Sequence, residues 1–205
     1  MTLLQELEQI IPFSIFKKDA FEYLMKLLIN WKFESYEDIP INDKGEIVIE
    51  DFDRYKVFKL HFFVTTAAAS PEHEGLLTIF DDFRAYQAGP VCQGVYDLIK
   101  KDVFPFTITN KDGFIIDKSK YESLGNDLPS FVKTEIENSL DELKLQNSDL
   151  INKNSSYLID LSHEWKSWKE AKIEKENGES IDDSEYKFMN PYLIKYERKI
   201  FHLYR

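Results

Sequence analysis

Hydrophobic residues recur at helical spacing in three long stretches of the chain. Asp19 and Glu22 form a capping-box pattern, and the apolar positions that follow predict a core helix reaching Trp31. Residues 53–70 are apolar on most sides and contain three consecutive alanines, so they predict a buried central helix. In residues 128–146 the helical spacing returns with a charged outer face. These stretches predict the helical framework of the protein.

Two shorter helices are predicted near the ends of the chain. Residues 2–10 place four apolar side chains on one face, and this helix should end before Pro12. Asn190 followed by Pro191 is typical of a helix start. We expect that last helix to run through Ile200 and to carry four basic side chains, Lys195, Arg198, Lys199 and Arg205.

Two parts of the chain have the pattern of β-strands. Residues 46–50 alternate between polar and apolar side chains and predict a short extended segment without an obvious partner. Residues 106–109 and 114–117 are β-prone runs joined by a turn that ends in Asp-Gly, which predicts a hairpin. The predicted fold is mainly α, α+β at most: a compact single-domain helical bundle around the buried central helix, with one small β-hairpin.

Residues 81–101 form the most distinctive stretch. Gly89 can adopt backbone angles that are closed to other residues, and Pro90 suits the first position of a helix. The pair therefore predicts a turn followed by a helix that begins at Pro90. Its apolar face would contain Val91, Val95, Leu98 and Ile99, with Tyr96 beside it and in need of a polar partner.

Composition narrows the class of protein. The chain has 205 residues, of which 43% are hydrophobic and 15% aromatic, enough for one domain with a core built on large rings. Its net charge of -11 argues against general nucleic-acid binding, which relies on Lys and Arg, and favours a basic partner.

The chain contains one cysteine, Cys92, which cannot form an internal disulfide. The first residues include acids where a secretory signal would have a basic region, and no apolar run is long enough to cross a bilayer. These features predict a cytoplasmic protein without membrane association.

The polar residues do not form a recognised catalytic pattern. Ser162 and His163 are adjacent, so on a helix they point about 100° apart and do not make a nucleophile and base. A structural role, with Ser162 bonded to a nearby carbonyl and His163 holding a loop, is preferred. The adjacent pair Asp81 and Asp82 is expected to cap or to face solvent. His61 is expected to be a satisfied core residue.

Metal and cofactor sites are not predicted either. None of the four histidines has metal-ligand spacing, and the seven glycines do not cluster into a phosphate-binding loop. We therefore expect no catalytic, cofactor-binding or metal-binding residues.

Two features leave alternatives open. Cys92 would lie in the first turn of the predicted helix, where the helix dipole favours a thiolate, but no base is close in sequence. A partly buried, inert thiol is preferred over a Cys-dependent enzyme. Trp165 and Trp168 lie three apart on a predicted helix, where a core pair is more common than a partly exposed anchor for a partner.

Two separated motifs resemble the Panacea, or SocA-like, antitoxin domain of bacterial and phage genomes. The first is an aromatic residue, Tyr86, followed by Gly89-Pro90-Val91 and then Tyr96. The second is the C-terminal pattern Leu161-Ser162-His163, Trp165, Trp168 and Ala171. The resemblance covers about residues 54–171. It departs from the family at residues 59–67, where the family helix tends to be rich in leucine and tyrosine.

The resemblance implies a division at residue 50: residues 1–50 would form an N-terminal helical extension packed on the domain, and residues 51–205 the antitoxin domain. The family neutralises unrelated toxins, commonly by direct contact, and one branch delivers its toxin to a protease. The implied function is an antitoxin that binds a cognate toxin encoded nearby. The implied binding residues are Tyr86, Gly89, Pro90, Tyr96, His163, Trp165 and Trp168. The alternative is a protease adaptor or a regulatory binding protein without a toxin.

Overall fold

A computed structural model describes residues 13–176 and 186–203, with the backbone alone for residues 13–16 and 173–176. The helix predicted at residues 2–10 lies outside the described residues, as does Arg205. Eight α-helices fall within the described ranges: α1 Phe13–Lys32, α2 Arg54–Ala67, α3 Gln93–Lys100, α4 Lys118–Ser123, α5 Ser130–Gln146, α6 Ser155–His163, α7 Lys166–Glu176 and α8 Pro191–Tyr196. Five strands accompany them: β1 Glu46–Ile49, β2 Phe83–Tyr86, β3 Gly89–Cys92, β4 Phe106–Thr109 and β5 Gly113–Asp117.

Helix α2 confirms the predicted apolar helix. The side chain of Asp53 accepts a hydrogen bond from the backbone N–H of Lys56 at 2.8 Å and caps the helix start. Every residue from Lys56 to Ala67 is buried. The helix contacts α5 and α6 and also strand β3, so β3 rests on the buried part of α2.

The strands form two small antiparallel sheets. β1, β5 and β4 lie in that order, which confirms the hairpin at residues 106–117 and supplies the partner that the extended segment at residues 46–49 lacked. β2 and β3 form a second hairpin, in which Phe83 pairs with Cys92 and Tyr86 with Gly89. The mainly helical α+β class is confirmed, but the prediction of a single hairpin was wrong.

The helix predicted to begin at Pro90 begins instead at Gln93, because Gly89–Cys92 is strand β3. Ala85, which lies opposite Pro90, donates its N–H to the carbonyl of Lys187 on the other side of β2. Ala85 and Pro90 are therefore a non-hydrogen-bonded pair, and the missing N–H of Pro90 costs no bond in the hairpin.

Two other helix boundaries differ from the predictions. Helix α1 begins at Phe13, so Asp19 lies inside it and does not cap its start. The Asp19 carboxylate instead lies 3.6 Å from the ammonium nitrogen of Lys18. The last helix begins at Pro191 as predicted, with Asn190 accepting the hydrogen bond of the Tyr192 N–H. It ends at Tyr196, so Ile200 lies beyond it.

Residues 13–50 are integral to the folded unit. Phe21, Leu24 and Leu28 of α1 belong to the same buried core as α2, and β1 is hydrogen-bonded to β5. None of the helices in residues 13–176 and 186–203 is long and apolar enough to cross a membrane.

Candidate functional site

The turn between β2 and β3 forms the centre of the candidate site. Gly89, at the end of this turn, has a φ of +95°, which other residues rarely adopt. A Cβ atom at this position would overlap the hydroxyl oxygen of Ser162 and lie 3.0 Å from the end of the Lys59 side chain. Glycine is required here for both its backbone conformation and its small size.

The two motifs that carry the family resemblance meet at this turn. Trp168 donates from its indole nitrogen to the backbone oxygen of Tyr86 at 3.1 Å. The Trp168 ring also stacks on His163, with 3.9 Å between ring centroids. Ser162, next to His163, lies directly under Gly89. Segments that are far apart in sequence thus form one structural unit.

Aromatic rings extend the site on the other side of Tyr86. The Tyr86 ring stacks on Tyr186 at 3.8 Å between centroids and lies 5.7 Å from the Tyr96 ring. Its hydroxyl donates to the side-chain oxygen of Gln93 at 2.8 Å. Tyr96 in turn lies 5.9 Å from the Phe58 ring of α2. The tyrosines of the first motif are therefore tied to the hairpin, to α3 and to α2.

These rings surround an open cavity of about 480 Å³. It is lined by Arg54, Tyr55, Phe58, Lys59, Tyr86, Gln87, Ala88, Val91, Tyr96, Asn110 and Tyr186. Tyr55 is 44% exposed, and its side chain forms no hydrogen bond or ring contact within the described residues. The cavity combines an aromatic wall with two cationic side chains.

Lys59 is the most unusual residue of the cavity. Its side chain is buried, with 1% of the residue exposed, and its ammonium group donates to the carbonyl of Pro90 at 2.5 Å. Both the N and O of Pro90 point away from β2, because it lies in a non-hydrogen-bonded pair, which directs this carbonyl toward α2. Burial lowers the pKa of Lys59 well below its usual value.

The two tryptophans lie at different depths in the structure. Trp165 is completely buried among Phe62, Phe63 and Phe201, and its indole nitrogen donates to the carbonyl of Ile200 at 3.1 Å. It supports the site from within the core. Trp168 is half-buried and lies at the site itself.

The other candidate residues are also at different depths. Gly89 and Pro90 are buried under the turn, while Tyr86, Tyr96 and His163 are half-buried. The surface that a partner could touch is therefore formed by rings and by the turn residues Gln87 and Ala88.

Cys92 lies in a buried polar network under the hairpin. Its thiol is fully buried and donates to Asp82 at 2.8 Å. Asp82 also forms an ion pair with Lys17 at 2.9 Å and accepts the N–H of Gly94, in the first turn of α3. Burial and the charge of Asp82 raise the pKa of the Cys92 thiol well above its usual value.

The surroundings of Cys92 disfavour reactivity of its thiol. The thiol was expected to be partly buried, but it is fully enclosed, and a raised pKa disfavours the nucleophilic thiolate. Asp82 caps α3 as predicted, because it accepts the N–H of Gly94. The Asp81 side chain is half exposed, and its carboxylate forms an ion pair with Lys17 at 2.8 Å.

The Ser162 part of the predicted structural role is confirmed. The Ser162 hydroxyl donates to the carbonyl of Ile159 at 2.8 Å. His163 stacks on Trp168 beside the β2–β3 turn, its Nε2 atom is buried without a hydrogen-bond partner among the described residues, and burial lowers the pKa of its ring. His61, in contrast, was wrongly expected to be satisfied: it is buried against Phe21 and Phe80, and neither ring nitrogen has a hydrogen-bond partner among the residues that the structure describes.

Sequence reasoning missed Arg54, Tyr55, Lys59 and Tyr186 as residues of the site. One signal was available, because a lysine inside an otherwise apolar helix requires a polar partner. Nothing in the local pattern around Tyr186 indicates that it stacks on Tyr86, 100 residues earlier. In the part of the chain that the structure covers, no group of three or more His, Cys, Asp or Glu side chains is arranged to hold a metal ion.

No protein-family model, curated protein or solved structure matches this chain.

Proposed function

We propose that this protein is an antitoxin that neutralises a cognate toxin, encoded nearby, by direct protein–protein binding in the cytoplasm. The proposal starts from the resemblance of its two motifs to the Panacea domain. It includes a helical bundle organised around α2 as the support for the binding surface, and it assigns binding rather than catalysis to the site.

The observation that carries the proposal is the bond from Trp168 to Tyr86. Residues that carry the resemblance lie in two distant segments, and they share one surface at the β2–β3 turn. Independent structural roles for the two motifs would not require this contact. A shared surface is what a binding function needs, since binding energy concentrates in clustered aromatic anchors.

The composition of this surface also favours a protein partner. Tyr55, Tyr86, Tyr96, Trp168 and Tyr186 provide large rings that are only partly buried. Tyrosine and tryptophan are enriched in the central parts of interfaces, where they contribute both apolar area and hydrogen bonds. The net charge of -11 favours a toxin with a basic surface around the aromatic contact.

The buried state of Cys92 weighs against a Cys-dependent enzyme. A catalytic cysteine needs a depressed pKa and access to substrate, and both conditions are reversed here. A protease adaptor uses the same kind of aromatic surface and is the second candidate. The two differ in what happens to the toxin, which stays intact in one case and is degraded in the other.

The test is co-expression with the product of each neighbouring gene. We expect one of these products to arrest growth and the wild-type chain to restore it. Tyr55→Ala should weaken toxin binding by about tenfold or more, because the Tyr55 ring is exposed at the cavity. Tyr36→Ala is the matched control: Tyr36 is 58% exposed, lies outside the cavity and should bind as the wild type does.

Toxin abundance separates the two candidates. Direct neutralisation leaves the amount of toxin unchanged, whereas an adaptor lowers it and loses this effect in a protease-deficient host. If no neighbouring product is toxic, or if Tyr55→Ala and Tyr36→Ala behave alike, the proposal fails.

A further inference from the structure

Two cationic side chains line the cavity without a carboxylate partner. Three lysines are almost completely buried within the described residues: Lys17, Lys56 and Lys59. Lys17 pairs with Asp81 and Asp82, and Lys56 pairs with Asp51 at 2.7 Å. Lys59 forms no ion pair with any part of the chain that the structure describes, and its one acceptor there is the carbonyl of Pro90.

Arg54 is the second unpaired cation. Its Nε–H donates to the carbonyl of Ile108 at 2.9 Å, which anchors the guanidinium group at the wall of the cavity. The two terminal amino groups have no acceptor among the residues described. A guanidinium fork held in this way is suited to bind both oxygens of a carboxylate.

The nearby carboxylates are engaged elsewhere. Asp53, next to Arg54 in sequence, caps α2 and accepts the hydroxyl of Ser155 at 2.7 Å. Asp97 accepts a hydrogen bond from the side chain of Gln93 at 2.9 Å. A buried cation without a counter-charge is costly, so an anionic group that entered the cavity would relieve this cost.

The other walls of the cavity indicate which kind of molecule should carry this anionic group. Its walls include the rings of Tyr55, Phe58, Tyr86, Tyr96 and Tyr186. Flat aromatic groups pack well against such rings. A volume of about 480 Å³ is within the range of small-molecule sites and accommodates a ligand of modest size.

We propose that the cavity is a binding site for a small aromatic carboxylate, whose acid group is held by Arg54 and Lys59 and whose ring packs among the tyrosines. The evidence for this ligand does not depend on the existence of a toxin, although the cavity lies within the surface assigned to the toxin. A ligand bound there would occupy the centre of that surface, so it would compete with the partner.

The test uses 3-phenylpropionate as the probe and 3-phenylpropionamide as its neutral match. Binding to the full chain is measured by titration calorimetry and by NMR shifts. We expect the acid to bind about tenfold or more tightly than the amide, since the difference is a charge-assisted contact.

Variants assign the contacts. Lys59→Met and Arg54→Gln should each weaken binding of the acid by about tenfold and remove the preference over the amide. Lys144→Met makes the same change at a lysine that is outside the cavity and paired with Glu34, and it should leave binding unchanged. Arg54 is half-buried, so Arg54→Gln keeps the test usable if Lys59→Met does not fold.

Several outcomes would overturn the inference. These are equal binding of acid and amide, no binding of either probe at millimolar concentration, and wild-type affinity in both cavity variants. None depends on the identity of a toxin, so a negative result here leaves the growth-rescue experiment unaffected, and the reverse also holds.

Discussion

The indole nitrogen of Trp168 and the backbone oxygen of Tyr86 lie 3.1 Å apart, although the two residues are separated by 82 positions in the chain. This hydrogen bond orients α7 relative to the β2–β3 turn. The stacked ring of His163 reinforces it. The surface around the turn is therefore held in place before any partner arrives, which lowers the entropy cost of binding.

Substitution of Trp168 should separate the hydrogen bond from the packing of the ring. Trp168→Phe keeps a ring against His163 but removes the donor, so we expect the free energy of unfolding to fall by about 1 kcal/mol. Trp168→Ala also removes the stacked ring and should cost about 2–3 kcal/mol. Urea unfolding measures both. Equal stability of Trp168→Phe and the wild type would show that this bond does not stabilise the fold.

Gly89→Ala should be strongly destabilising. The added methyl group would overlap the Ser162 hydroxyl and press on Lys59, in a backbone conformation that alanine rarely adopts. We expect a loss of about 3 kcal/mol or more.

Gly45→Ala is its matched control, because Gly45 has a φ of +77° but nothing within 4 Å of the added Cβ atom. This variant should lose only the backbone term, about 1 kcal/mol. Thermal unfolding monitored by circular dichroism compares the two. Similar losses in both variants would contradict the close packing under the turn.

His61 should make the protein sensitive to acid. Burial lowers its pKa to about 3, from a usual value near 6.5. Below about pH 6.5 the unfolded chain binds a proton at this site that the folded chain does not, so stability falls as the pH falls toward 3. Between pH 6.5 and 5 the loss should be roughly 2 kcal/mol.

His61→Leu removes this contribution and the two unpaired ring nitrogens. We expect the variant to be at least as stable as the wild type at pH 5, with a flatter dependence of the unfolding free energy on pH. Urea unfolding from pH 7 to pH 4 provides the measurement. An unchanged slope would assign the acid sensitivity to other groups.

Cys92 should react slowly with thiol reagents while the protein is folded. Its sulfur is fully buried and hydrogen-bonded to Asp82, and its pKa is raised. We expect alkylation at pH 7.5 to be about a hundredfold or more slower than in urea, because the folded chain must open before reagent reaches the sulfur. Mass spectrometry of iodoacetamide-treated protein follows the reaction. Rapid labelling of the folded chain would favour the enzyme that the structure argues against.

Much of the framework could be predicted from short-range patterns. The apolar run of α2 and the hairpin at residues 106–117 both depend on residues that are close in sequence, and both are present in the structure. The Gly-Pro pair misled the prediction at β3. Its local preference for a helix start was outweighed by strand pairing with β2, where the position of Pro90 does not require a backbone N–H donor.

The candidate site was predicted only in part, for the same reason. Tyr86, Tyr96 and Trp168 were identified from their motifs, and the structure brings them to one surface. Arg54, Lys59 and Tyr186 entered the site through packing between distant segments, which no local pattern records.

The sequence by itself determined the main helical stretches, though not all of their ends, which residues carry the family resemblance and that the net charge is unfavourable for nucleic acid. Helical periodicity and turn residues are patterns among neighbours in the chain, and composition is a property of the whole sequence, so all three can be read without a structure. Only the tertiary structure decided that Trp165 is core and Trp168 is at the site, that Cys92 is fully buried and that Lys59 has no ion pair with the described residues. Burial and ion pairing depend on which distant surfaces meet, and the packing of α2 against the hairpin settles them.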